Sequence, residues 1–152
     1  MPKYQRVLFV SESGNSRAMI ASAIFNKKAY GSGIKAEARG TVVLFPEPGN
    51  PKAVAIAKSH GIDLTGFMSS ALKEDEFGDD VLVLTMTERR KFTIYEDYKN
   101  AKNVYSIREF ADVIGEPQDP YGGDLTEYGA FYEDMEKTID EIISKINKNE
   151  EE

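Results

Sequence analysis

The chain contains no cysteine. As written, it can form no disulfide, hold no thiolate-bound metal and perform no thiol chemistry. It has one histidine, His60, so any site built on two imidazoles is excluded. It also lacks a surplus of positive charge: 19 Lys and Arg face 26 Asp and Glu, for a formal net charge of -7 at pH 7. An acidic chain without a basic block is poorly suited to nucleic acid or to an anionic membrane, and neither is expected as a partner. Long hydrophobic runs are missing too. The first ten residues hold one short apolar run, Val7 to Val10, far below the length of a secretory h-region or a membrane span. The expectation is a cytoplasmic protein without a leader.

What is present fits one α/β domain. The 152 residues are 41% hydrophobic and 30% charged, enough to bury a continuous core without metals or cross-links. No repeat or low-complexity linker divides the chain, so one domain over 1–152 is expected, with a frayed tail at 147–152. Val7-Leu8-Phe9-Val10 has the continuous apolar pattern of a strand buried on both faces. Residues 11–16 read as a short polar loop. Residues 18–28 read as a helix with Met19, Ile20, Ala23 and Ile24 on one face.

A second strand is expected over 34–39. Three prolines within 45–51 forbid regular structure there. Pro51 opens a helix to His60, which Gly61 stops. Val81 to Leu84 reads as a central strand, followed by a polar helix to about Tyr98 and a short strand at 104–106. The acidic stretch 73–80 reads as a solvated helix and turn. Residues 115–123 form a Pro- and Gly-rich loop. The last helix is marked by Leu125, Tyr128, Tyr132, Met135, Ile139, Ile142 and Ile146 in steps of three and four, with Asp124 and Glu127 as a capping box. Strands alternating with helices imply a central parallel four-stranded sheet flanked by helices, three layers in all. Ligands of such sheets bind beyond the carboxyl ends of the strands.

Residues 11–17 lie at that place, between the first strand and the first helix. A loop of this kind aims several backbone N–H groups at one point beside the positive end of a helix dipole. Gly14 lets the backbone turn. Arg17, at the end of the loop, can grip two oxygens of a phosphate in a bidentate fork. The plain alternative at this point is a strand-to-helix turn with a Ser or Asn cap and a solvated Arg.

In this arrangement the chain resembles the low-molecular-weight protein-tyrosine phosphatases, whose mark is a nucleophilic Cys directly after the first strand, then five residues, then Arg. Ser11 stands at the Cys position and Arg17 at the Arg position. The resemblance continues through Ala38-Arg39-Gly40-Thr41, the stretch AKSHGIDL at 57–64, Val81 to Thr87, and Asp119-Pro120-Tyr121-Gly122-Gly123, which looks like the family's general-acid loop. It implies Arg17 and Asp119 as catalytic groups with Ser11 in the nucleophile position. It implies phosphate binding by Glu12, Ser13, Gly14, Asn15, Ser16 and Arg17, and a substrate slot walled by Glu12, Phe45 and Tyr121. It implies no cofactor and no metal, and a phosphorylated protein or peptide as partner, with phosphate or another oxyanion in the loop.

The chain departs from the family at several positions. Gly14 and Asn15 lie one place later than the usual Gly-Asn, Ser16 replaces a second Cys, and Ala18 replaces a hydroxyl residue after the Arg. The family's reaction is hydrolysis of phosphomonoesters through a phosphocysteine. A serine hydroxyl is a far weaker nucleophile than a thiolate and has no histidine in the loop to activate it. The resemblance therefore implies a chain that binds phosphate and turns over very slowly, as an inactive or trapping form. Either an engineered or a natural replacement of Cys would give Ser11; the intact Arg17 and Asp119 argue for the former.

Other functions stand beside this one: a protein-arginine phosphatase, whose loop is also Asp-Pro-aromatic-Gly-Gly, and a non-catalytic phosphopeptide binder. An arsenate reductase would need further cysteines. A serine hydrolase would need glycines two residues either side of its serine, and neither Ser11 nor Ser13 has them.

Overall fold

A computed structural model describes the backbone of residues 3–151 and the side chains of 3–148. The elements run β1 (Arg6–Ser11), α1 (Arg17–Lys28), β2 (Lys35–Gly40), α2 (Pro51–Ser59), a 3-10 turn (Glu74–Glu76), β3 (Val81–Thr85), α3 (Glu88–Asp97), β4 (Val104–Ser106), α4 (Ile107–Ala111) and α5 (Leu125–Glu151). The four strands form one sheet in the order β2-β1-β3-β4, and every neighbouring pair is parallel.

The continuous apolar run of β1 explains its central place. Val7 and Phe9 enter a cluster built with α1 and α5, and Leu8 and Val10 enter a second cluster with Val83, Ile94 and Val104. Successive side chains of a strand point to opposite faces, so a strand with helices over both faces must be apolar throughout. The three-layer α/β architecture with a parallel four-stranded sheet is thus the one expected. β2 pairs with one edge of β1 and β3 with the other, so the chain's order reverses at β1. The crevice at its carboxyl end is where such sheets take ligands.

Some local expectations are corrected. Helix α1 is buried nearly all round, including Ala18, Ala21, Ser22 and Phe25, while Ala23 is only half-buried. Residues 107–111, unassigned from sequence, form α4, started by a Ser106–Glu109 capping box. Leu125 is exposed although it begins the apolar stripe of α5. At the start of α5 Asp124 caps by accepting from the Glu127 N–H at 3.0 Å. The tail expected to fray from residue 147 is helical backbone as far as Glu151; residue 152 lies outside the described residues.

The acidic stretch 73–80 is not all solvated. Glu76 pairs with both Arg6 (3.0 Å) and Arg39 (2.9 Å), and Glu37 pairs with the same two arginines. This four-membered network ties the 3-10 turn to β1 and β2. Burial alone would raise the Glu37 carboxyl, but the hydrogen bond and charge of Arg39, followed by those of Arg6, outweigh it and hold the carboxyl below its ordinary value.

Candidate active site

Ser11 ends β1 and is buried. Its Oγ accepts the N–H of Gly14 at 3.0 Å, which folds the loop back over the strand end. Gly14 has φ +74°, and a Cβ there would lie 2.7 Å from the Gly40 nitrogen and 2.8 Å from the Arg39 carbonyl carbon. A side chain at this position would meet backbone, so glycine is required both by conformation and by space. The loop is then sewn to its surroundings. The Thr41 and Val42 N–H groups donate to the carbonyls of Ser11 (3.1 Å) and Glu12 (2.9 Å), and the Asn50 N–H donates to Asn15 (2.8 Å). The Asn15 side chain accepts from the Ser13 hydroxyl at 2.7 Å and donates to the Pro48 carbonyl at 3.0 Å.

These bonds use the loop's carbonyls and leave donors over. The N–H groups of Glu12, Ser13, Asn15 and Ser16 have no protein acceptor among the described residues. Ser16 precedes α1 with φ -137° and ψ -94°, and its side chain makes no cap bond. The start of α1 therefore keeps its unpaired N–H groups and its positive dipole end beside Ser11. Such a place favours an anion.

A cavity of about 400 Å³ opens here, lined by Ser11, Glu12, Ser13, Ser16, Arg17, Val42, Asp119 and Tyr121. The Arg17 side chain is only 17% exposed, and its Nη2 lies 3.6 Å from Asp119 Oδ2. Asp119 sits on the rim, 59% exposed, between Pro117 and Pro120, both buried. Its Oδ1 accepts the Tyr121 N–H at 3.1 Å, and Lys52 of α2 donates to the Gly123 carbonyl. A loop anchored on both sides thus carries a carboxylate to within reach of the guanidinium at the cavity floor.

The residues singled out in the sequence divide clearly. Ser11, Glu12, Ser13, Ser16, Arg17, Asp119 and Tyr121 line one cavity. Gly14 and Asn15 support the loop from behind. Phe45, expected to wall the slot, is exposed and absent from the lining, whereas Val42 is part of it. The reason is local. Val42 is tied by its N–H to Glu12, whereas Phe45 lies three residues further along the Pro-rich segment. Sequence reasoning also missed Arg90 of α3. Its guanidinium contacts Glu12 Oε2 at 3.4 Å and donates to Thr41 Oγ1 at 3.1 Å. No periodicity signals a long-range pair of this kind. His60 is not at this site: its Nδ1 meets the Ile56 carbonyl at 3.0 Å and its ring stacks on Tyr132, with centroids 3.9 Å apart.

Comparison with known proteins agrees with this fold. The curated protein-arginine-phosphatase of Geobacillus stearothermophilus is 27% identical over 143 residues, covering 93% of this chain and 95% of its own length. The crystal structure of a low molecular weight protein tyrosine phosphatase from T. tengcongensis superimposes with a TM-score of 0.84 at 31% identity, covering 92% of this chain and 98% of that one. A mutant of the YwlE arginine phosphatase with a phosphorylated active-site serine superimposes equally well, TM-score 0.84 at 26% identity, over 94% of this chain and 96% of that one. The sequence pattern of the family described as low molecular weight phosphotyrosine protein phosphatase matches residues 6–152, and the chain belongs to that family.

Proposed function

We propose that this chain is a phosphoprotein-recognising phosphatase whose cavity at residues 11–17 holds the phosphoryl group of a phosphorylated side chain. In this reading Arg17 and the loop N–H groups bind the phosphoryl oxygens, Asp119 is the proton donor to the leaving group, and Ser11 stands where the nucleophile stands. The observation that carries it is the combination of uncommitted loop N–H groups with Arg17 and Asp119 3.6 Å apart across one cavity. Because a hydroxyl lacks the acidity of a thiol, turnover through Ser11 is very slow, and the chain binds its substrate longer than it processes it. Within the family, a phosphorylated active-site serine in the mutant YwlE structure supports the fit of a phosphoryl group to a serine at such a site.

The test is calorimetry with inorganic phosphate or vanadate. Arg17→Ala should remove about 2–3 kcal/mol of binding, the loss of a charge-assisted bidentate contact, which is roughly a 30- to 150-fold weaker Kd. Unchanged affinity in a folded variant would refute the assignment.

A second reading, phosphoarginine in place of phosphotyrosine, is favoured by one feature of the rim. The Glu12 carboxylate lines the rim of a cavity whose floor suits an anion. Glu12 is 70% exposed and paired with Arg90 at 3.4 Å. A negative rim over a positive floor fits a substrate with a cationic guanidinium just behind its phosphoryl group. Glu12→Ile should shift relative binding of phosphotyrosine and phosphoarginine peptides toward the former by about tenfold, or about 1.4 kcal/mol. An unchanged ratio would leave phosphotyrosine as the substrate class.

A further inference from the structure

We infer that Lys52 is a positioning residue for Asp119: its ammonium group straps the 115–123 loop to the start of α2 and keeps the Asp119 carboxyl over the cavity once a substrate has claimed Arg17. This rests on the reading of Asp119 as the proton donor, and it names the group that holds the donor in place.

The strap joins two loops that lie far apart in the chain. Asn50 caps α2 by accepting from the Lys52 and Ala53 N–H groups, at 3.0 and 3.2 Å. The Asn50 N–H donates to the Asn15 carbonyl at 2.8 Å, and the Asn15 amide donates to the Pro48 carbonyl at 3.0 Å. Residues 48–52 are thereby fixed on the loop at 11–17. From this base Lys52 Nζ donates to the Gly123 carbonyl. The Gly123 N–H donates in turn to the Pro120 carbonyl at 2.7 Å, and the Tyr121 N–H donates to Asp119 Oδ1 at 3.1 Å. A hold on Gly123 is thus passed through one tight turn to Asp119. At the other end of the loop, Glu116 Oε2 accepts the Glu88 N–H at 2.8 Å.

Helix physics gives no local reason for a lysine at this position. Lys52 stands in the first turn of α2, where the dipole favours an acid and disfavours a cation, and that turn holds no acidic residue. Lys52 is also exposed, so its burial stabilises nothing. The Gly123 carbonyl supplies the negative partner that the helix start withholds.

The ion pair with Arg17 cannot perform this task in the working state. Asp119 Oδ2 lies 3.6 Å from Arg17 Nη2. A proton donor must carry its proton, and a neutral carboxyl loses its attraction to a guanidinium. A phosphoryl group in the cavity takes the same guanidinium through charge-assisted bonds. Both changes loosen the pair when Asp119 must be in place. The bond from Lys52 ends on a backbone carbonyl, which accepts whether or not Asp119 is protonated.

Two measurements test this. In the unaltered chain, hydrogen exchange read by mass spectrometry should be faster at 119–123 in Lys52→Met than in the parent, with β1 unchanged. In the Ser11→Cys background, Lys52→Met should slow phosphotyrosine hydrolysis about tenfold, because a misplaced reacting group loses rate steeply. Hydrolysis of an ester with an activated leaving group should barely change. Lys52→Arg, which can still donate to a carbonyl, should restore most of the rate. Lys52→Met combined with Asp119→Asn should be no slower than Asp119→Asn alone, since both act on one step. Equal losses on the two esters, additive losses in the double variant, or unchanged exchange at 119–123 would each overturn the inference and leave the proposed function standing. If Asp119→Asn itself shows no dependence on the leaving group, the reading of Asp119 fails and takes the inference with it.

Discussion

Asp119 and Arg17 meet across the cavity mouth at 3.6 Å. An acid on the rim serves a leaving group that needs a proton. In the Ser11→Cys background, Asp119→Asn should slow hydrolysis of phosphotyrosine by roughly 10²–10⁴-fold. Esters with activated leaving groups should lose much less, because they depart without protonation. Steady-state rates on two such esters check this, and equal losses on both would show that Asp119 is not the donor. Most of this site was legible in the sequence because its parts are short-range motifs. Ser11 to Arg17 and Asp119 to Gly123 each lie within one loop, and it is the resemblance to the phosphatase family that singles them out. Val42, Arg90 and Lys52 were not legible. Each acts across a long stretch of chain, as when Arg90 reaches Glu12 at 3.4 Å, and no local pattern encodes such a meeting. Phe45 was misread for the opposite reason: a large aromatic near the right place in sequence is turned out to solvent.

At the scale of elements, loop 12–16 is held against the end of β2 by two glycines. A Cβ on Gly14 would lie 2.7 Å from the Gly40 nitrogen, and one on Gly40 would lie 2.7 Å from the Ser13 carbonyl. Gly31 offers a control, with φ +84° and nothing within 4 Å of an added Cβ. Gly31→Ala should cost only the left-handed strain of about 1–2 kcal/mol. Gly14→Ala should cost more than that and also weaken phosphate binding. Denaturant unfolding with phosphate calorimetry on the two variants makes the comparison, and equal costs would contradict the close approach. The second element-scale device is the Arg6–Glu37–Arg39–Glu76 network. The Glu37 carboxyl is held below its ordinary value in the folded state by Arg39 and Arg6. Its contribution to stability is therefore full above about pH 4.5 and lost as pH falls through the lower, folded value. Glu37→Gln should flatten the acid limb of a stability–pH profile and lower stability near neutrality. An unchanged acid limb would show that this pairing carries no linkage. The strands and long helices were legible from apolar runs and periodicity. Helix α4 was not, since its five residues are too few for a period, although its Ser106–Glu109 capping box is visible in the sequence once sought.

Across the whole molecule, the sheet order β2-β1-β3-β4 places the reversal of chain order at β1, and the loop that leaves β1 is the one rich in free donors. Fold and site are thus one consequence of the same apolar strand: because β1 is buried on both faces, its carboxyl end opens between its two neighbours, beside the start of α1. Net charge of -7 leaves this cavity as an anion-seeking place in an acidic protein, so binding rests on local donors, not on the overall field. In the proposed function, the cavity is a phosphatase site complete except for the atom that attacks. Hydrolysis of a small aryl phosphate by purified Ser11→Cys protein tests it most directly. Turnover should rise well above that of the Ser11 protein and be abolished by Arg17→Ala in the same background. A folded Ser11→Cys protein with no rate above buffer would contradict it, and would mark the cavity as a binding site alone.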